Sequence, residues 1–83
     1  MIKILHCEYK QDFQIFLEFS DGEKGLFDLK EYLTTRSGPL LEPLQEEDYV
    51  RRCFIEAGAL CWPNGLALSP ARLHEPHILK QVA

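Results

Sequence analysis

His6, Cys7, Cys53, Cys61, His74 and His77 are the side chains of this sequence with the softness to hold a metal or the nucleophilicity to start a reaction. Zinc takes Cys thiolates and His nitrogens, typically four together. The spacing argues against such a site. Adjacent His6 and Cys7 rarely ligate one ion together, no Cys-x-x-Cys pair exists, and Pro76 breaks the helix that would align His74 with His77. These residues read instead as small buried cysteines and exposed histidines. No metal and no cofactor is expected.

Covalent catalysis needs a thiol or hydroxyl within reach of a base and an orienting acid. Cys61, beside Trp62, is the one thiol in a suggestive place, and a Cys-dependent enzyme rests on it alone. Burial in a strand would raise its pKa and leave it inert. Glu18, Asp21, Glu23 and Asp28 are spread over a hairpin and a helix cap, so paired-carboxylate acid–base work has no support. Five glycines stand singly, without a phosphate-cradling loop. No catalytic residue is assigned, and the chain is read as a non-enzyme.

Eighty-three residues make one domain, 1–83. A chain this short buries roughly 60–65% of its unfolded surface, so an ordinary margin of about 5 kcal/mol is expected and pairing would help. Hydrophobic residues are 46% of the chain, enough for one core. Thirteen acidic residues stand against nine basic ones, giving −4. Phosphate binding needs a basic stripe, and Arg51-Arg52 is the only adjacent basic pair, so direct nucleic-acid binding is not expected. No apolar run approaches the ~18–20 residues of a membrane helix, and the N-terminus lacks a secretory h-region. Three cysteines, an odd number, disfavour a disulfide framework. These features point to a cytoplasmic protein.

The elements follow from period and punctuation. Leu5, Cys7 and Tyr9 alternate with His6 and Glu8, and Lys10-Gln11-Asp12 makes a turn. Phe13, Ile15, Leu17 and Phe19 then line one strand face, with Phe16 as an apolar exception on the other. Ser20-Asp21-Gly22 carries the hairpin signal, and Glu23 to Phe27 forms a third strand. Asp28-x-x-Glu31 has capping-box spacing before a short helix that bears Leu29, Tyr32 and Leu33. Thr34 to Pro39 is a loop, and Leu40, Leu41 and Leu44 re-enter the core. Acidic residues at one end and Arg51-Arg52 at the other predict a second helix over Gln45 to Arg52, with Tyr49 and Cys53 on its buried side. Phe54–Ala57 and Ala59–Trp62 flank Gly58 as a second hairpin, Leu60 and Trp62 pointing one way and Cys61 the other. The order β-β-β-α-α-β-β-α predicts an α+β domain: a small, mostly antiparallel sheet, built of a meander and a C-terminal hairpin, with two to three short helices.

Trp62-Pro63-Asn64-Gly65 stands out within that order. A large aromatic, a proline without a donor and an Asn-Gly pair describe a strand ending in a tight turn. Ser69-Pro70 then reads as an N-cap and first-turn proline of a helix reaching about His74 and ended by Pro76. Trp62 is either the largest contributor to the core or an exposed anchor for a partner. Both readings stay open here. The candidate site is this corner, Trp62, Pro63, Asn64 and Gly65, with Asp21, Gly22 and Phe16, as a structural corner or partner surface.

These segments carry a family resemblance. Phe19-Ser20-Asp21-Gly22, the Phe27-Asp28-Leu29 step, Pro39-Leu40 leading to Leu44, and Trp62-Pro63-Asn64-Gly65 with Ser69-Pro70 and Leu73 resemble the small bacterial domain-of-unknown-function family 2442. The resemblance covers nearly the whole chain and implies a small α+β domain. Members often carry an acidic residue two places after the turn glycine, where this chain has Ala67. The family implies no activity and no catalytic residue. Some members are fused to a helix-turn-helix domain, an extension not expected past Ala83, and family genes often sit beside another small gene, as toxin–antitoxin pairs do.

The leading expectation is a non-catalytic protein–protein interaction or regulatory module that binds another protein, with self-association into a homo-oligomer and no membrane contact. The alternative is an accessory component of a transcription-regulatory or toxin–antitoxin-like complex that meets DNA only within the assembly.

Overall fold

A computed structural model of the chain describes residues 1–75 and 78–81. Two antiparallel sheets and three short helices enclose one core, an α+β fold. The first sheet is the expected meander: β1 (Ile4–Tyr9), β2 (Gln14–Phe19) and β3 (Lys24–Asp28), in that spatial order. A one-turn helix α1 (Leu29–Leu33) follows, then a 3-10 turn over Glu42–Gln45 and α2 (Glu47–Val50). Strands β4 (Phe54–Glu56), β5 (Ala59–Cys61) and β6 (Ala67–Leu68) make a separate three-stranded sheet. After α3 (Pro70–Leu73), β7 (Leu79–Gln81) returns to pair with β3. Pro76 and His77 lie outside the described residues.

Period two fixes the meander. Ile15, Leu17 and Phe19 are buried, while Gln14, Phe16 and Glu18 take the opposite face. β1 departs from simple alternation at its start. Ile4 pairs with Phe19 and His6 with Glu18, which leaves Leu5 as a bulge residue, 62% exposed. The bulge shifts the inward positions, so Ile4 rather than Leu5 joins the core, and Cys7 and Tyr9 keep their expected side.

Phe13 is the second correction. The β1–β2 turn is centred on Asp12 and Phe13, both with positive φ, so Phe13 precedes the strand instead of starting it. Gln14 N–H donates to the Gln11 carbonyl at 2.9 Å across this turn. The unfavourable backbone of a bulky residue is held by its surroundings: Phe13 N–H donates to Tyr9 Oη at 3.1 Å, its carbonyl accepts from Leu29 N–H at 3.0 Å, and its ring packs on the core.

The middle of the chain is more broken than a single helix. Glu46 has extended backbone between the 3-10 turn and α2, so the expected Gln45–Arg52 helix shrinks to Glu47–Val50 with Arg51 as its C-cap. Val50 is its fully buried residue, and Tyr49 and Cys53 are only half-buried. Of the three leucines, Leu44 enters the core and Leu41 packs at its margin, but Leu40 is exposed. Asp28 does cap α1, accepting from Glu31 N–H at 3.2 Å. Ser69 occupies the N-cap position of α3 with extended backbone, yet its hydroxyl makes no capping bond; Pro70 sits in the first turn as expected.

The C-terminal hairpin turns through Ala57 and Gly58, both at positive φ. Leu60, Cys61 and Trp62 are all buried, so β5 is covered on the Cys61 face as well as on the Leu60 face. β1 lies against β4 and β5, and Ile4 N–H donates to the Gly58 carbonyl at 2.9 Å. This contact brings the sheets so close that a Cβ on Gly58 would stand 2.8 Å from Lys3 Cβ.

Gly58→Ala and Gly65→Ala separate steric from conformational cost. Gly65 has φ of +94° with open space around it, whereas Gly58 combines φ of +80° with that clash. Gly65→Ala should lose about 1–2 kcal/mol in urea denaturation, and Gly58→Ala clearly more. Equal losses would mean that the two sheets separate freely at Lys3.

Candidate functional site

The Trp62–Gly65 corner is a dense hydrogen-bonded node. Gly65 N–H donates to the Trp62 carbonyl at 3.1 Å, closing the turn, and Trp62 N–H donates to the Leu66 carbonyl at 3.0 Å. The Trp62 side chain, 1% exposed, donates from Nε1 to the Val50 carbonyl at 3.2 Å. That bond supplies the polar partner a buried indole requires, and it satisfies a carbonyl in the last turn of α2. Trp62 is thereby a core residue with its ring inside.

Asn64 is bonded through both ends of its side-chain amide and through its backbone N–H. Its side-chain oxygen accepts from Leu66 N–H at 3.1 Å, its Nδ2 donates to the Leu40 carbonyl at 3.1 Å, and its backbone N–H donates to Tyr49 Oη at 3.0 Å. Leu40 thus serves through its carbonyl. Pro63, Asn64 and Gly65 are themselves exposed, forming a rigid rim over the buried indole.

Asp21 and Gly22 lie elsewhere, in the β2–β3 turn. Gly22 has φ of +90°, and its N–H donates to the Phe19 carbonyl at 3.0 Å. Asp21 accepts from Glu23 N–H at 3.0 Å and meets His74 Nε2 at 2.9 Å. His74 also stands edge-on to Phe19, with centroids 4.9 Å apart, so it clasps α3 to the meander. The Glu23 amide first, and then His74, hold the Asp21 carboxyl below its ordinary range.

Phe16 is on the sheet's outer face, away from both. It pairs across β2–β3 with Leu26 and across β1–β2 with Glu8. His6 approaches its ring edge-on at 6.4 Å, and Lys10 Nζ lies 5.8 Å from the ring centre. Lys10, Gln11, Gln14, Phe16 and Leu26 line a shallow depression of about 460 Å³. The candidate residues therefore fall into three places: corner, turn clasp and outer sheet face.

Several groups outside these three places matter to the arrangement. Tyr9 Oη donates to Glu47, and burial followed by that carboxylate raises the phenol pKa. Arg51 reaches the same spot, 3.9 Å from Glu47 and 5.2 Å from the Tyr9 ring, while Arg52 lies over Tyr49 at 5.9 Å. The arginine pair is thus engaged with aromatic rings on the domain itself. Cys7 and Cys53 are both half-buried at the margin of the core. Cys61 is buried, and desolvation raises its pKa. Among the described residues, no three His, Cys, Asp or Glu side chains are grouped to hold a metal ion. No described helix is long and apolar enough to cross a membrane.

The Trp-Pro-Asn-Gly node, the Asp-Gly turn and the capped α1 are the segments on which the resemblance rests, and a protein-family model matches residues 4–78. The chain belongs to the DUF2442 family. That family is described as protein of unknown function, so membership extends to the fold's pattern and brings no activity with it. Neither the curated proteins nor the solved structures hold a significant match to this chain. For this DUF2442 domain the functional argument therefore rests on its own surface.

Two measurements follow from this geometry. Trp62→Ala should cost ~3–5 kcal/mol, most of a small domain's margin, and lower the melting temperature drastically. Trp62→Phe keeps a ring but removes the indole donor to the Val50 carbonyl, which keeps only its bond from Cys53 N–H, and should cost less. A variant melting like wild type would place the indole outside the core. Asp21 gives a pH signature. Its folded pKa is depressed, so its contribution is present above the ordinary aspartate range and lost as pH falls through the lowered folded value. Asp21→Asn should therefore be less stable than wild type at about pH 5.5, with the gap closing near about pH 2.5. An equal gap at both pH values would show that the carboxylate charge is not what matters.

Proposed function

We propose that this chain is a non-catalytic interaction module whose first partner is a second copy of itself, docked through the outer face of the four-stranded sheet. One observation carries the reading: Phe16 and Leu26 stand directly opposite each other at the centre of that face, each only half-buried. Around them are Glu8 and Glu18 of one sign and Lys10 and Lys24 of the other. A face carrying both signs can meet its own copy with opposite charges apposed, where a single-signed face would repel itself. An apolar pair with a polar rim is the anatomy of a small, reversible interface. The non-catalytic part is supported by the work that the candidate groups already do in the fold, with His74 bonded to Asp21 and Tyr9 to Glu47.

Light scattering coupled to size exclusion tests this across a concentration series. Wild type should shift from monomer toward dimer mass by about 100 μM, a weak affinity in keeping with a small contact. Phe16→Glu, which puts a charge in the centre of the face without touching the core, should stay monomeric with an unchanged melt. A wild type that is monomeric at every concentration, or a dimer that survives Phe16→Glu, contradicts the proposal.

A further inference from the structure

Asn64 is the only asparagine in the chain, and it stands before Gly65 on the exposed rim of the corner. An asparagine before glycine is the one most open to attack on its side-chain amide by the following backbone nitrogen, because glycine has no Cβ to hinder the approach. In the folded corner every group needed for that attack is engaged. Gly65 N–H, the nucleophile, donates to the Trp62 carbonyl at 3.1 Å. Asn64 Oδ1 accepts from Leu66 N–H at 3.1 Å, and Nδ2, the leaving group, donates to the Leu40 carbonyl at 3.1 Å. Asn64 N–H donates to Tyr49 Oη at 3.0 Å, which fixes the main chain just before the side chain.

We propose that Asn64–Gly65 is a fold-gated deamidation site, closed in the native corner and released when the corner opens, whose product keeps the corner from closing as before. In the opened corner the Gly65 nitrogen attacks Asn64 Cγ. The new N–C bond closes a succinimide ring, the Cγ–Nδ2 bond breaks, and ammonia leaves with the proton given up by Gly65. Water then adds to one of the two ring carbonyls and opens the ring, giving aspartate or isoaspartate in place of Asn64. A water is consumed and an ammonia released, with no oxidation or reduction.

The gate is set by those hydrogen bonds together. The Leu66 bond alone would polarise the amide carbonyl toward attack. With Nδ2 tied to Leu40 as well, turning Cγ toward the Gly65 nitrogen breaks both side-chain bonds, and the Gly65 proton must also leave the Trp62 carbonyl. Reaction therefore follows the small population in which the corner has come apart. Either product then opposes closure. Aspartate replaces the donor to Leu40 with a second acceptor, and isoaspartate adds a methylene to the main chain inside the turn that the Gly65–Trp62 bond closes. Deamidation thus marks, irreversibly, a chain whose corner has opened. The site shares no residue with the proposed dimer face.

The test is incubation of the full chain at neutral pH and physiological temperature, native and unfolded in guanidinium chloride, until the native sample itself shows product. Intact mass and anion exchange see the amide become an acid, and the peptide containing Asn64 locates it. The native chain should deamidate at least about tenfold more slowly than the unfolded one. Tyr49→Phe, which frees the Asn64 N–H, should while still folded deamidate about fivefold faster than native wild type, the population factor for one hydrogen bond lost. The chain deamidated in guanidinium chloride and then refolded should melt about 4 °C or more below an unmodified chain refolded in parallel. Asn64→Asp, expressed directly, should also melt lower than wild type, which keeps this arm readable where refolding fails. A native chain that deamidates as fast as the unfolded one, an unchanged rate in Tyr49→Phe, or a deamidated chain that melts like the unmodified one overturns the proposal.

Discussion

The structure depends on burying one indole without orphaning its N–H. Trp62 is the largest fully buried side chain, and its single donor reaches the Val50 carbonyl. Dispersion and the hydrophobic effect reward putting that surface inside, while an unpaired buried donor would cancel much of the gain. The hydrogen bond to α2 resolves the conflict. It also explains why a four-residue helix holds its place: α2 is too short to be stable by propensity, and tertiary contacts fix both its ends.

The same constraint organises the neighbours. Tyr49 on α2 accepts from Asn64, Glu47 on α2 accepts from Tyr9, and Asn64 holds the Leu40 carbonyl. The corner, α2, β1 and the Pro39–Leu41 loop are linked by polar groups lying around the apolar centre. A domain this small has little core to spare, so such links carry a larger share of its specificity than they would in a bigger protein. His74 repeats the arrangement at the other end, bonding Asp21 and packing against Phe19.

Much of this was legible in the sequence because period and turn chemistry are local signals. β2 alternates over six residues, Asp21-Gly22 announces its turn, and Asp28 announces α1. The departures are all non-local. The Leu5 bulge exchanges an inward leucine for Ile4, and only the pairing with Phe19 specifies it. Phe13 adopts a positive φ that its own side chain disfavours, held by Tyr9 and Leu29. β6 has two residues and β7 three, too few for a period to register, and β7 exists because β3 offers an edge. Trp62 left two readings because a Trp beside a turn is as compatible with an interface as with a core. The carbonyl of Val50, twelve residues away, distinguishes them.

Hydrogen exchange at the Trp62 indole tests this account most directly, because it reports the one bond on which the rest depends. If the indole is locked in the core and bonded to α2, its N–H should exchange only on global unfolding, as slowly as the central amides of β2 such as Leu17. Exchange of the indole at the rate of the exposed Asp21–Gly22 turn, with the β2 amides still protected, would contradict it.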